Sequence, residues 1–93
     1  MVPAERRVRL AVTLGDPRGI GAEIVSTAVQ DAAVAAACDT LVVGPAGLAV
    51  APAMAVGHWS PAMSVADAGR LACAAIERAV SMALAGEIGR AHV

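Results

Sequence analysis

From Val8 to Leu14 the chain alternates, with Val8, Leu10, Val12 and Leu14 recurring at every second position. That period of two, in residues that favour extended backbone, predicts a first strand over Val8–Leu14 after a polar lead-in, Met1–Arg7. Beyond a glycine-rich stretch the composition shifts to helix formers from about Ile20 to Ala37. On that helix Ile20, Ile24, Thr27, Ala28, Val34 and Ala35 suggest an apolar side, and Glu23, Ser26, Gln30 and Asp31 a wet one. Asp39-Thr40 then opens a short buried strand, Leu41–Val43, expected to stop at Gly44-Pro45. Strand, helix, strand is by default a right-handed βαβ unit with parallel strands.

Between Ala46 and Met63 the periodicity is lost. Alanines and Leu48 favour a helix start, but Pro52, Gly57 and Pro61 interrupt it, and Trp59 reads either as a core anchor or as an exposed ring. Order returns at Ser64, an N-cap candidate with Asp67 three residues on in capping-box spacing. Val65, Ala68, Leu71, Ala72, Ala75, Ile76, Ala79, Val80 and Ala83 then form an apolar stripe, with Met82 and Leu84 read as packing residues. Gly86 is placed to end this helix.

Composition narrows the class. A chain of 93 residues is one small domain at most, and although 58% of its residues are hydrophobic, they are mostly Ala and Val with one Trp and no Phe or Tyr, so the core is expected to be thin. A net charge of -1 gives no electrostatic reason to expect nucleic acid or an anionic membrane as partner. The apolar-looking stretch from Cys38 to Val56 is broken by Asp39, Gly44, Pro45, Gly47 and Pro52, and the N-terminus lacks a signal-peptide core, so a soluble, cytoplasmic protein is expected. Cys38 and Cys73, on different predicted helices, read as small buried thiols, and His58 and His92 form no ligand motif.

The chemistry concentrates in Thr13-Leu14-Gly15-Asp16-Pro17-Arg18-Gly19-Ile20-Gly21-Ala22-Glu23-Ile24, a strand-to-helix turn. Gly15, Gly19 and Gly21 permit positive φ and close backbone approach, and Asp16-Pro17 reads as a helix cap with a first-turn proline. A phosphate, a carboxylate or a cofactor edge would fit there; a tight turn with no ligand is the other reading. Glu23 suits the positive end of the helix dipole, and Arg18 faces either a substrate phosphate or, as favoured here, solvent. A dinucleotide fingerprint starting at Gly19 needs a glycine where Ile24 stands, and a P-loop needs a lysine that this chain lacks.

The stretch resembles the opening of the 4-hydroxythreonine-4-phosphate dehydrogenase family, Thr/Ser-x-Gly-Asp-Pro-Ala-Gly-Ile-Gly-Pro-Glu-Ile. The match comprises Thr13, Gly15, Asp16, Pro17, Gly19, Ile20, Gly21, Glu23 and Ile24, with Arg18 in place of the usual Ala and Ala22 in place of the usual Pro. A related loop opens the isocitrate and isopropylmalate dehydrogenases, which share the broad fold. Ser64 to Glu87 is similar to a second family segment, Ser-x-x-Ala-Gly-Arg followed by Ile-Glu-x-Ala and a closing Gly-Glu. The resemblance implies an α/β chain, a fragment of an isocitrate/isopropylmalate dehydrogenase-like α/β/α fold comprising a βαβ unit plus a further helix. In the family a helix and further strands separate the second strand from the Ser-x-x-Ala-Gly-Arg helix; residues 46–63 are too few to hold them, which implies an internal deletion or a shorter variant.

The same resemblance implies an NAD-dependent oxidoreductase of pyridoxal phosphate biosynthesis. It would convert 4-phosphooxy-L-threonine, with decarboxylation, to 3-amino-2-oxopropyl phosphate. A divalent metal held by histidines across a homodimer would assist, yet none of those histidines has a matching position here, so no catalytic or metal residue is carried over and the isolated chain is expected to be inactive. Gly15, Asp16, Gly19 and Gly21 are the candidate cofactor-facing residues, and a small phosphorylated molecule is the expected substrate. A paralogue acting on phosphorylated erythronate or threonate, and a non-catalytic α/β binding module, are the alternatives.

After Gly86-Glu87 the family continues with an apolar strand, whereas this chain reads Ile88-Gly89-Arg90-Ala91-His92-Val93. With the end of the Glu87 codon, those residues translate a common sequencing-adapter start, AG ATC GGA AGA GCA CAC GTC. The expected organisation is therefore a partial N-terminal α/β domain over 1–87 and a non-native tail over 88–93, in which His92 carries no function.

Overall fold

A computed structural model of the chain describes residues 8–92, with side chains described through residue 89; the expected lead-in Met1–Arg7 and the final Val93 lie outside the described residues. In chain order the elements are β1 (Val8–Thr13), α1 (Gly21–Val29), α2 (Ala32–Ala37), β2 (Cys38–Ala46), β3 (Met54–His58), α3 (Val65–Leu84) and β4 (Arg90–His92). The four strands form one sheet in the order β3-β2-β1-β4, and every pairing is parallel.

The alternation along the central strands explains the layers. Ala11, Leu41 and Val43 belong to the cluster made with Ala75, Ala79 and Met82 of α3, whereas Val12, Leu14 and Val42 belong to the cluster made with Ala22 and Val25 of α1. Neighbouring residues of a strand point to opposite faces, so α1 and α3 cover opposite faces of the sheet. The α/β reading, with a βαβ unit and a further helix, holds.

Several boundaries differ from expectation, each for a local reason. The long helix predicted over Ile20–Ala37 is two helices, because Asp31 is extended and its carboxylate accepts the amides of Ala33 and Val34, capping a new helix instead of continuing the old one. Its apolar face is also reversed: Ala22 and Val25 are buried, while Ile20 and Ile24 are 64% and 57% exposed. β2 is longer than Leu41–Val43 and runs through Gly44-Pro45. The register against β3 shifts between Gly44 and Ala46, a bulge that accommodates the missing proline amide, and Pro45 is fully buried there. Cys38 consequently starts a strand and is half-buried, and Cys73 is exposed on α3, so the two are not the buried helical thiols expected.

The unreadable stretch holds β3. Residues 47–53 connect β2 to it without a helix, laying Leu48 and Val50 against the α1-side cluster. Trp59 is the core anchor of the two readings: it is 8% exposed, and its amide donates to Ala46 O at 2.8 Å.

α3 begins and ends as expected. Ser64 accepts from the Asp67 amide and the Asp67 carboxylate accepts from the Ser64 amide, a complete capping box. At the other end Gly86 has φ 77°, its amide reaches Ala83 O, and Glu87 N–H reaches Met82 O at 2.9 Å, a Schellman closure. The buried side of α3 is Ala68, Ala75, Ala79 and Met82; Val65, Ile76 and Val80 of the expected stripe face outward, and Leu84, expected to pack, is 84% exposed. A core so rich in alanine leaves Leu14, Val43, Trp59, Met82 and Ile88 among the large contributors, the aliphatic ones at about 1.5–3 kcal/mol for each side chain removed from water. Ile88 lies in the α3-side cluster and Gly89 N–H donates to Arg9 O, which leads the chain into β4 beside β1. Among the described residues no helix is long and apolar enough to cross a membrane.

Candidate functional site

The glycine-rich stretch leaves the sheet at the carboxyl end of β1. Strand order reverses direction at β1: the chain steps from β1 outward to β2 and β3, then returns over the other face to place β4 on the far side of β1. In open α/β sheets the crevice for ligands lies outside the carboxyl ends of the strands at such a reversal. The loop from Leu14 to Ile20 stands at that carboxyl edge.

Leu14 is the loop's fixed point. It is 1% exposed, and its amide extends the β1–β2 pairing by donating to Val43 O at 3.2 Å. Two glycines pack on it: a Cβ at Gly21 would lie 2.1 Å from Leu14 O, and one at Gly44 would lie 2.6 Å from Leu14 Cδ1. A side chain at Gly21 would push α1 away from β1, and one at Gly44 would displace the buried Leu14 side chain. Gly15, with φ 74°, turns the chain out of the strand in a conformation that L side chains rarely adopt. Gly19 N–H then closes a turn on Asp16 O at 2.9 Å.

Asp16 does not cap the helix. The N-cap of α1 is Ile20, which makes no side-chain cap bond, and Asp16 instead binds Arg18: Oδ1 accepts the Arg18 amide at 2.8 Å and Nε at 3.1 Å, and Oδ2 accepts Nη2 at 2.9 Å. The reason is distance along the chain. The tight turn brings residue 18 back over residue 16, while four more residues separate Asp16 from the helix start. Hydrogen bonds from Arg18 hold the Asp16 carboxyl below its ordinary range, and the same pairing raises Arg18. Arg18 is thus exposed, as expected, but pinned in a two-pronged ion pair. Asp-x-Arg within one turn was the signal available for this pair, and the sequence reading passed over it.

At neutral pH the loop therefore presents a neutralised pair. Glu23, exposed in the first turn of α1, sits as expected by the helix dipole. Gly15, Asp16, Gly19 and Gly21 are brought together in one turn, but not in one role: Gly21 and Gly15 answer to backbone geometry and Asp16 to Arg18. His58 lies exposed at the end of β3 on the same carboxyl edge, and the side chain of His92 is outside the described residues. Among the described residues no group of three or more His, Cys, Asp or Glu could hold a metal ion. A hollow lies elsewhere, at the amino edge of the sheet, lined by Val8–Leu10, Ala37, Cys38 and Gly86–Gly89.

Two curated proteins are similar to this chain. The 4-hydroxythreonine-4-phosphate dehydrogenase of Desulfosudis oleivorans is 39% identical over 61 residues, 66% of this chain and 18% of that protein. The 4-hydroxythreonine-4-phosphate dehydrogenase of Trichlorobacter lovleyi is 47% identical over 36 residues, 39% of this chain and 11% of that protein. Both relatives carry the name of the family that the two motifs resemble, over partial stretches. This chain spans less than a fifth of the length of either relative, the shares being 18% and 11%. No family model matches it, and no solved structure does.

Proposed function

We propose that this chain is the opening α/β unit of an NAD-dependent dehydrogenase that oxidises 4-phosphooxy-L-threonine, with decarboxylation to 3-amino-2-oxopropyl phosphate, in pyridoxal phosphate biosynthesis. The observation that carries the reading is positional. The stretch that resembles that family, Thr13 to Ile24, leaves the carboxyl end of the first strand of a parallel sheet and leads into the first helix, on the edge where α/β enzymes hold ligands.

In this reading the loop's part is binding. Gly15, Asp16, Gly19 and Gly21 shape a turn against which a phosphorylated substrate or the cofactor rests, and the Asp16–Arg18 pair keeps that turn from carrying an unbalanced negative charge towards an anionic ligand. NAD, when bound, accepts the hydride. The divalent metal used by the family finds no fitting donor cluster among the described residues, so no step is assigned to it here. The working enzyme is a homodimer in the cytoplasm, with no nucleic-acid or membrane partner, in keeping with a net charge of -1. The chain alone is inactive because it carries only this loop of the family's site. Oxidation of phosphorylated erythronate or threonate, and binding without catalysis, are the competing readings.

The test is NAD reduction measured with 4-phosphooxy-L-threonine and a divalent metal. The protein encoded by the complete genomic reading frame is expected to form NADH, and the 93-residue chain to match a no-protein control. NADH formation by the complete protein with erythronate phosphate alone would transfer it to the paralogue class, and no reduction with either substrate would favour a binding module.

A further inference from the structure

We infer that α3 is a pairing surface for a second copy of this chain, which docks antiparallel along an outward apolar stripe. The stripe is Val65, Gly69, Cys73, Ile76, Val80 and Leu84, spaced four, four, three, four and four residues apart, so all six fall on one side of the helix. It is separate from the buried side, Ala68, Ala75, Ala79 and Met82. It is also open: Val65, Cys73, Ile76, Val80 and Leu84 are exposed, and a Cβ built at Gly69 meets nothing within 4 Å. The sheet uses one apolar side of α3, and the helix has two.

What selects a second copy is the spacing itself. Four, four, three, four, four reads the same from either end, so a two-fold axis between residues 74 and 75 lays the stripe on itself. Val65 then faces the partner's Leu84, Gly69 the partner's Val80, and Cys73 the partner's Ile76. Each contact sets a smaller side chain against a larger one, and the bare backbone at Gly69 lets the helices approach closely.

Charge favours the same arrangement. Arg70 and Glu77 lie on one flank of the stripe, and antiparallel two-fold pairing brings like flanks together. Arg70 then stands two residues of rise, about 3 Å along the axis, from the level of the partner's Glu77, and the contact is made twice. The Arg70 side chain is 70% exposed, with Nη2 given to Asp67 and the rest of the guanidinium turned to solvent. Parallel pairing would instead set Arg70 against Arg70 and Glu77 against Glu77, which repel. The pairing needs neither a ligand at the glycine-rich loop nor the residues after Glu87, and it goes beyond the dimer of the proposed enzyme by assigning a surface.

Sedimentation of the 93-residue chain is expected to show a concentration-dependent dimer, which Val80→Lys weakens by about tenfold or more, the scale of a residue central to an interface. Glu77→Arg and Arg70→Glu chains are each expected to pair about threefold more weakly. An equal mixture of the two should pair as well as the parent, because both crossed contacts again join opposite charges; a purely internal effect of either change would not be rescued by mixing. Orientation is read by a short bismaleimide on Val65→Cys combined with Leu84→Cys in a Cys73→Ala background. Positions 65 and 84 are about 28 Å apart within one helix, so a 65–84 link joins two copies. Links of 65 to 65 and 84 to 84 overturn the inference, as does a mixture that fails to pair. A dimer that Val80→Lys leaves intact also overturns it, and so does a chain monomeric at every concentration, which would leave the stripe to another segment of the longer protein.

Discussion

Gly21 is packed face-on against the carbonyl of Leu14, so closely that a Cβ would lie 2.1 Å from the oxygen. The glycine sets the distance between the first helix and the first strand, and the buried Ala22 and Val25 can meet Val42 only at that distance. Gly21→Ala is therefore expected to destabilise the chain, at roughly 1–3 kcal/mol for an overpacked site that must shift backbone. Thermal unfolding checks it: about 4–8 °C of melting temperature is lost per kcal/mol in a domain of this size. An unchanged transition would mean that the loop relaxes without cost.

Asp16 and Arg18 act as one unit. Removing either partner frees the other, so the effects of Asp16→Ala and Arg18→Ala on melting temperature are expected to be similar and the double variant little worse than each single one. Because Asp16 does not cap α1, helix content should be retained in all three. Additive effects, or a loss of helix signal in Asp16→Ala alone, would restore the capping role.

Ser64 is the cap of α3. Ser64→Ala breaks the capping box of α3 and is expected to cost about 1 kcal/mol. Acid offers a second readout. Asp67 is held below its ordinary value of 3.8, first by the Ser64 hydroxyl, then by its amide and by Arg70, and Asp16 is held low by Arg18. A carboxyl depressed in the folded state contributes stability that is fully present above the unfolded value and is lost as pH falls through the folded one. Stability should therefore decline below about pH 4, and less steeply in Asp67→Asn. A pH-independent transition from neutrality down through that range would contradict both pairings.

Large apolar side chains cover the outside of both helical layers: Ile20 and Ile24 beside α1, and Val65, Ile76, Val80 and Leu84 on α3. The chain is expected to self-associate through them. Ile24→Lys combined with Leu84→Lys should shift sedimentation towards monomer without lowering the melting temperature, since both side chains are more than half exposed. A monomeric parent chain with a cooperative transition would sink this expectation.

What was legible in the sequence was what is decided locally. Ser64-x-x-Asp67 and Gly86 specified both ends of α3 because capping involves residues a few positions apart. The face of α1 was not legible, since Ile20 and Ile24 outweigh Ala22 and Val25 in hydrophobicity. The choice between faces is made by the close contact of Gly21 with Leu14, a tertiary fact. β3 was hidden because Pro52, Gly57 and Pro61 interrupt every period, and the length of β2 because Pro45 suggests a stop that the bulge against β3 absorbs. At the site, the position of the loop was readable from strand-to-helix order, but the division of labour among Gly15, Asp16, Gly19 and Gly21 needed contacts.

The central claim, that this is the opening unit of a longer dehydrogenase, meets its most direct test in the genomic DNA across codon 87. We propose that Ile88 to Val93 are adapter-derived, although Ile88 packs in the α3-side cluster and residues 90–92 pair with β1. Sequencing of the locus from an independent amplification is expected to show other codons after Glu87, continuing in frame through an apolar strand to histidine codons able to supply the metal ligands absent here. A genomic sequence that encodes Ile88 to Val93 and then stops would contradict the claim.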